Sequence, residues 1–212
     1  MNQHIYQRRP VNSDTIPTVI FFLLISNGLI FAAQHLPQFK GILLYYFALW
    51  PVQSVYENFY PWQLVTYGFL HDTAFQMHII FNMLMLWMFG RELELLLGAR
   101  RFLTYYMTCV IGAGIVQLIV TYITGSSQPT IGASGGVFGL LLAFGMAFPN
   151  RMILLIIPPI PMKAKYMVVL MGVIELTIGI SGAENRIANF AHLGGMLFGF
   201  LLIQHWKKGR RT

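Results

Sequence analysis

A serine sits among four glycines in TIGASGGVFG, residues 130–139, and its surroundings raise the question of chemistry. A serine hydroxyl is a weak nucleophile until a base takes its proton, and imidazole suits that task near neutrality. The chain offers such a base in NFAHLGGMLFG, where His192 lies within an apolar run. A second pair, His78 and Asn82 in QMHIIFNM, is spaced by four and so falls on one helical face. Acyl transfer needs a nucleophile, a base and hydrogen-bond donors aimed at the oxyanion. Ser134 and His192 supply the first two. His78, Asn82 and the free N–H groups of a helix start at Ser134 supply the third.

These groups must be positioned by elements that are apolar almost throughout. Of the 212 residues, 56% are hydrophobic and only 10% are charged, against about 25% charged in a soluble domain. The chain therefore reads as a polytopic, all-α membrane protein. Six apolar segments approach the roughly 20 residues of a bilayer span: 16–33, 78–97, 102–123, 132–148, 162–180 and 187–203. The run RMILLIIPP, 151–159, is too short to cross and reads as interfacial backbone leading into the fifth span. The connection 36–77 mixes Trp50, Trp62, Tyr and Phe with prolines, a composition for short interfacial helices. No cleavable leader is read in the first span. The whole chain, 1–212, reads as one membrane domain with a polar lead at 1–15 and a basic tail at 204–212.

With the N-terminus inside, twelve of the fourteen Lys and Arg residues fall on inner segments, and only Lys40 and Arg186 fall outside. That topology explains the net charge of +7 and removes any need for a nucleic-acid partner. It also makes the second, fourth and sixth spans begin at the outer face. His78, Asn82, Ser134 and His192 then share one depth and one side. Gly132 with Gly136, Gly135 with Gly139, and Ala191 with Gly195 and Gly199 form rows of small residues that let helix backbones approach closely in lipid. A short serine and an imidazole on separate helices meet only if those helices nearly touch.

Competing readings are limited by the residues themselves. A serine before glycines at a helix start is most often a cap or packing contact, and an intramembrane His or Asn is often interhelical glue. Complementary roles at one depth distinguish the set from either. A zinc protease would need H-E-x-x-H, which is absent. A paired-aspartate protease would need two intramembrane aspartates, but Asp14 and Asp72 both lie outside the spans. A transporter would place polar groups at the midplane of repeated halves, whereas here the halves show no repeat and the polar groups cluster at one face. The single Cys109 allows no intrachain disulfide. Glu175 is a lone carboxylate in the fifth span, read as an interhelical contact or a route for water. His71 and Asp72 are read as solvated, without a chemical role.

GASGGVFG around Ser134, HIIFN at His78–Asn82 and AHLGG around His192, in spans four, two and six of six, resemble the rhomboid intramembrane serine proteases. The resemblance runs from the first span to the last and includes IPMKAKY at 160–166. It implies a six-transmembrane-helix bundle and an endopeptidase that cleaves transmembrane segments of other proteins near the outer interface. Ser134 matches the nucleophile and His192 the base of a dyad that works through an acyl-enzyme without a third carboxylate. His78 and Asn82 match the side chains of the oxyanion hole, joined by the Ser134 N–H, and Gly132 matches the first glycine of GxSG. Phe138 stands where many bacterial members carry a tyrosine stacked on the imidazole, and the Trp-Arg pair common in the first outer loop is absent. The expected partners are transmembrane-segment substrates and lipid, with no cofactor, metal or nucleic acid. The expected location is a bacterial inner membrane, with both termini cytoplasmic and the site opening to the outer face. A rhomboid-like protein that binds helices without cutting them generally loses the serine or histidine, and both are present here.

Overall fold

A computed structural model describes residues 17–154, 160–181 and 188–209. Residues 1–16 with the polar lead, 155–159 with Pro158 and Pro159, 182–187 with Arg186, and 210–212 at the end of the basic tail lie outside the described residues. The helices run α1 (Thr18–Gln34), α2 (Pro37–Phe47), α3 (Gln63–Thr66), a 3-10 turn (Tyr67–Phe69), α4 (Met77–Leu97), α5 (Ala99–Thr124), α6 (Ser134–Ala147), α7 (Ala164–Ile180) and α8 (Ala188–Lys208). The six longest apart from α2 overlie the six apolar segments.

Among the described residues, α5 alone is both long and apolar enough to cross a bilayer unaided. The others fall short for separate reasons. α1 and α7 have 17 residues each and α6 only 14. α4 carries Arg91, Glu92 and Glu94 in its last turns, and α8 contains Asn189, His192, Gln204 and His205. The outward faces are nevertheless greasy: Phe22, Leu29, Ile123, Val169, Ile180 and Leu201 are all exposed. Apolar patches on that scale mark a surface meant to be covered.

Polar groups fix how the helices are arranged. α1 has no side-chain cap of its own, but the N–H groups of Val19 and Ile20 donate to the Glu94 carboxylate at 3.0 and 2.8 Å. Negative charge at a helix N-terminus is favoured by the helix dipole, so the first turn of α1 docks on the last turn of α4 and the two run antiparallel. At the same end Arg151 pairs with Glu92 at 3.4 Å. Pro37 at the first turn of α2 follows a bend of 120° from α1. The connection 36–77 does hold short helices, and buried Gln63 ties them together by accepting from the N–H groups of Trp50 and Tyr60.

One element departs from an all-α reading. Met152–Leu154 (β1) pairs antiparallel with Pro161–Lys163 (β2), Ile153 opposite Met162. The segment 151–159 thus starts as half of a small ribbon, which returns the chain to α7.

α8 lies in the groove between α5 and α6, where small residues permit contact that side chains would forbid. A Cβ on Gly195 would sit 1.9 Å from the Gly135 carbonyl oxygen, and one on Gly139 would meet Cys109 Sγ at 2.4 Å. Gly136 likewise faces α5, onto Tyr106 and Val110. Tyr105 donates from its hydroxyl to the Gly139 carbonyl at 2.8 Å, locking α5 to α6 within a core that includes Phe89, Phe102, Tyr106, Leu140 and Leu141.

Candidate active site

The backbone approaching Ser134 is held at three points before the helix begins. Thr130 and Leu49 exchange N–H···O bonds of 2.9 and 3.0 Å, Gln117 donates to the Thr130 hydroxyl at 3.0 Å, and the Gly132 N–H donates to the Tyr67 carbonyl at 3.0 Å. Tyr67 is itself buried and donates to the Val110 carbonyl at 2.7 Å. Gly132 adopts φ +125, a region that side-chain-bearing residues avoid, and a Cβ there would lie 2.9 Å from His78 Nε2. A glycine therefore keeps open the space bordered by His78 and Ser134.

Ser134 is the first residue of α6, so its N–H and those of Gly135 and Gly136 have no carbonyl within the helix to bond. Its Oγ lies 2.8 Å from His192 Nε2. The imidazole is stacked on Phe138, with ring centroids 4.3 Å apart and planes inclined by 3°. The missing hydroxyl of a tyrosine does not prevent that packing.

His78 begins α4 beside this pair. The Asp72 N–H donates to its Nδ1 at 3.3 Å, which leaves the ring proton on Nε2, the atom facing Gly132. Asn82 is buried and uses one amide hydrogen on the His78 carbonyl, one turn back at 2.9 Å; the other hydrogen remains. All six residues singled out in the sequence, Ser134, His192, His78, Asn82, Gly132 and Phe138, thus converge on one end of the helix bundle.

Two expectations are corrected. Glu175 does make an interhelical contact, but its partner is the imidazole itself. His192 Nδ1 lies 2.8 Å from Glu175 Oε2, and Asn189 Nδ2 donates to the same oxygen. A Ser-His pair with no carboxylate beside it is not what the geometry gives. The 17 positions between Glu175 and His192 fit no helical repeat, so the sequence held no local sign of the contact. Nor is His71 solvated: it is fully buried. Its N–H and carbonyl exchange bonds with the Gln34 side chain at 2.9 Å each, and its ring packs on His78 with centroids 5.2 Å apart. Burial, with His78 nearby, pushes its pKa down to about 4. Asp72 is exposed, as expected.

The family model for the rhomboid domain matches residues 58–206. The chain belongs to the rhomboid family, whose members are integral membrane proteins. It is 28% identical over 209 residues to Rhomboid protein 1, mitochondrial, of Saccharomyces cerevisiae, covering 93% of this chain and 58% of that one. It is 28% identical over 189 residues to the human Presenilin-associated rhomboid-like protein, mitochondrial, covering 86% of this chain and 47% of the relative. With the Putative rhomboid protease YdcA of Bacillus subtilis it shares 34% identity over 157 residues, covering 71% and 70%. The chain spans about half the length of the mitochondrial relatives it matches. Their mitochondrial names give no support to a bacterial inner membrane as the location; what family membership gives is a membrane protein.

Proposed function

We propose that this chain is an intramembrane serine endopeptidase that cuts transmembrane segments of other proteins near the outer interface. The observation that carries the reading is the 2.8 Å approach of Ser134 Oγ to His192 Nε2 at a helix start. Ser134 attacks the peptide carbonyl while His192 Nε2 takes its proton. The oxyanion is received by the Ser134 N–H, by His78 Nε2–H and by the remaining amide hydrogen of Asn82. Collapse releases the amine, which takes the proton back from His192, and an acyl-enzyme remains on Ser134. Water then repeats the sequence and frees the carboxylate product.

Six helices crossing the membrane, with both termini cytoplasmic, put this site on the outer side. The 14 residues of α6 rise only about 21 Å, short of the roughly 30 Å hydrocarbon core. If the inner end of α6 sits at its interface, Ser134 is recessed below the outer surface, within reach of a span unwound at its end. A helical peptide bond is protected by its own hydrogen bonds, so suitable segments carry Gly, Pro or small residues near the cut. By resemblance a small residue such as Ala precedes the scissile bond. The reading requires no metal and no nucleic acid.

Labelling with a fluorophosphonate probe in detergent tests the nucleophile without knowledge of the substrate. Wild type should label, and Ser134→Ala and His192→Ala should not. Folded wild type that stays dark beside a reactive serine hydrolase would favour a helix-binding protein that does not cut.

A further inference from the structure

Two carboxylates are buried among the described residues, Glu94 and Glu175. Glu94 is accounted for by the first turn of α1. Glu175 is harder to explain by stability alone. α7 is a peripheral helix whose other buried side chains are Ala164 and Met167, and its neighbouring residues Val173, Ile174 and Leu176 face outward. Placing a carboxylate on such a helix is unfavourable unless it is fully paired.

The pairing is specific. Asn189 and His192, one turn apart on α8, both bond Glu175 Oε2. The Asn189 amide donates to this oxygen, and an ionised carboxylate can only accept, so with Glu175 ionised the His192 hydrogen lies on Nδ1. Nε2 is then the acceptor for the Ser134 hydroxyl, the tautomer that general-base catalysis requires. Phe138 holds the ring by its face, and Glu175 fixes its rotation within that plane.

Resting on the protease reading, we infer that Glu175 is a positioning residue for His192, completing a Ser134–His192–Glu175 array across α6, α8 and α7. It acts through the imidazole and touches no reacting atom. The Nδ1 proton stays on the ring throughout; the carboxylate orients the imidazole and offsets the positive charge it gains when Ser134 attacks. Because the three residues stand on three helices, the productive geometry holds only while α7 is seated against α8.

The test uses the full chain in proteoliposomes with a single-span substrate bearing Gly and Ala in its outer third. Glu175→Gln should lower kcat by about a hundredfold or more with KM changed less than about threefold, as expected when the base is held in the wrong tautomer. A pinning role for α7 alone would show as lost folded protein or raised KM instead. Wild type labelled with 15N-histidine gives a second readout that needs no Glu175 variant. The His192 signals, assigned by their loss in His192→Ala, should report a proton on Nδ1. Wild-type kcat in Glu175→Gln, or a proton on Nε2 of His192, would overturn this inference while leaving the protease reading intact. Wild type that neither cuts nor takes up fluorophosphonate would overturn both.

Discussion

Ser134, His192, His78, Asn82 and Phe138 were legible because each has a residue type suited to its proposed place, within motifs whose topology brings them to one end. The interhelical contact read for Glu175 is made, but its partner was not foreseen, and His71 was wrongly read as solvated; the reason is shared, because the partners that bury them come from other elements. His192 is 17 positions from Glu175, and Gln34 is 37 from His71. Two outcomes are expected at this scale. Removing one oxyanion donor by His78→Ala should lower kcat by roughly a hundredfold or more while fluorophosphonate-independent measures of folding hold; an unchanged kcat would remove His78 from the oxyanion hole. His71 gives a pH dependence. The unfolded chain takes up a proton near pH 6.5 but the folded chain not until about 4, so stability is complete above about 6.5 and falls between those values, by on the order of 3 kcal/mol. Denaturation midpoints measured across that window should show this loss and should flatten in His71→Asn. An identical slope in the variant would place the loss elsewhere.

The elements were readable where their signal was internal to one segment. Rows of small residues announced close helix contact, and Gly135, Gly139 and Gly195 do bring α6 and α8 together, while Gly135 and Gly139 also meet α5 and Gly136 meets α5 alone. Side-chain size alone does not say which neighbour a row meets. The ribbon of β1 and β2 was not legible, since a three-residue strand rich in apolar side chains looks like any short hydrophobic stretch. The close contact makes a sharp prediction. Gly195→Ala puts a methyl against the Gly135 carbonyl, forces α8 away from α6 and should destabilise the protein by about 1–3 kcal/mol. Labelling of Ser134 should fall with it. Gly172→Ala on α7, whose Cβ meets only Met196 Cε at 3.7 Å, should leave both melting temperature and labelling near wild type. Equal behaviour of the two variants would contradict the packing described for α8.

For the whole molecule, composition and charge bias pointed to a helical membrane protein, and the rhomboid domain matching residues 58–206 agrees. Six apolar segments were found, but the crossing of each was not decided by length and hydropathy, because function intrudes on both. Asn189 and His192 lower the hydropathy of α8, and α6, which Ser134 begins, has only 14 residues. The central claim is that these helices present an activated serine to another protein's transmembrane segment. The most direct measurement is mass spectrometry of products after wild type or Ser134→Ala is co-reconstituted with the single-span substrate. A discrete cut in the outer third, lost in Ser134→Ala, is the expected result. A cut that persists in Ser134→Ala, or an intact substrate beside wild type that labels with fluorophosphonate, would contradict the claim.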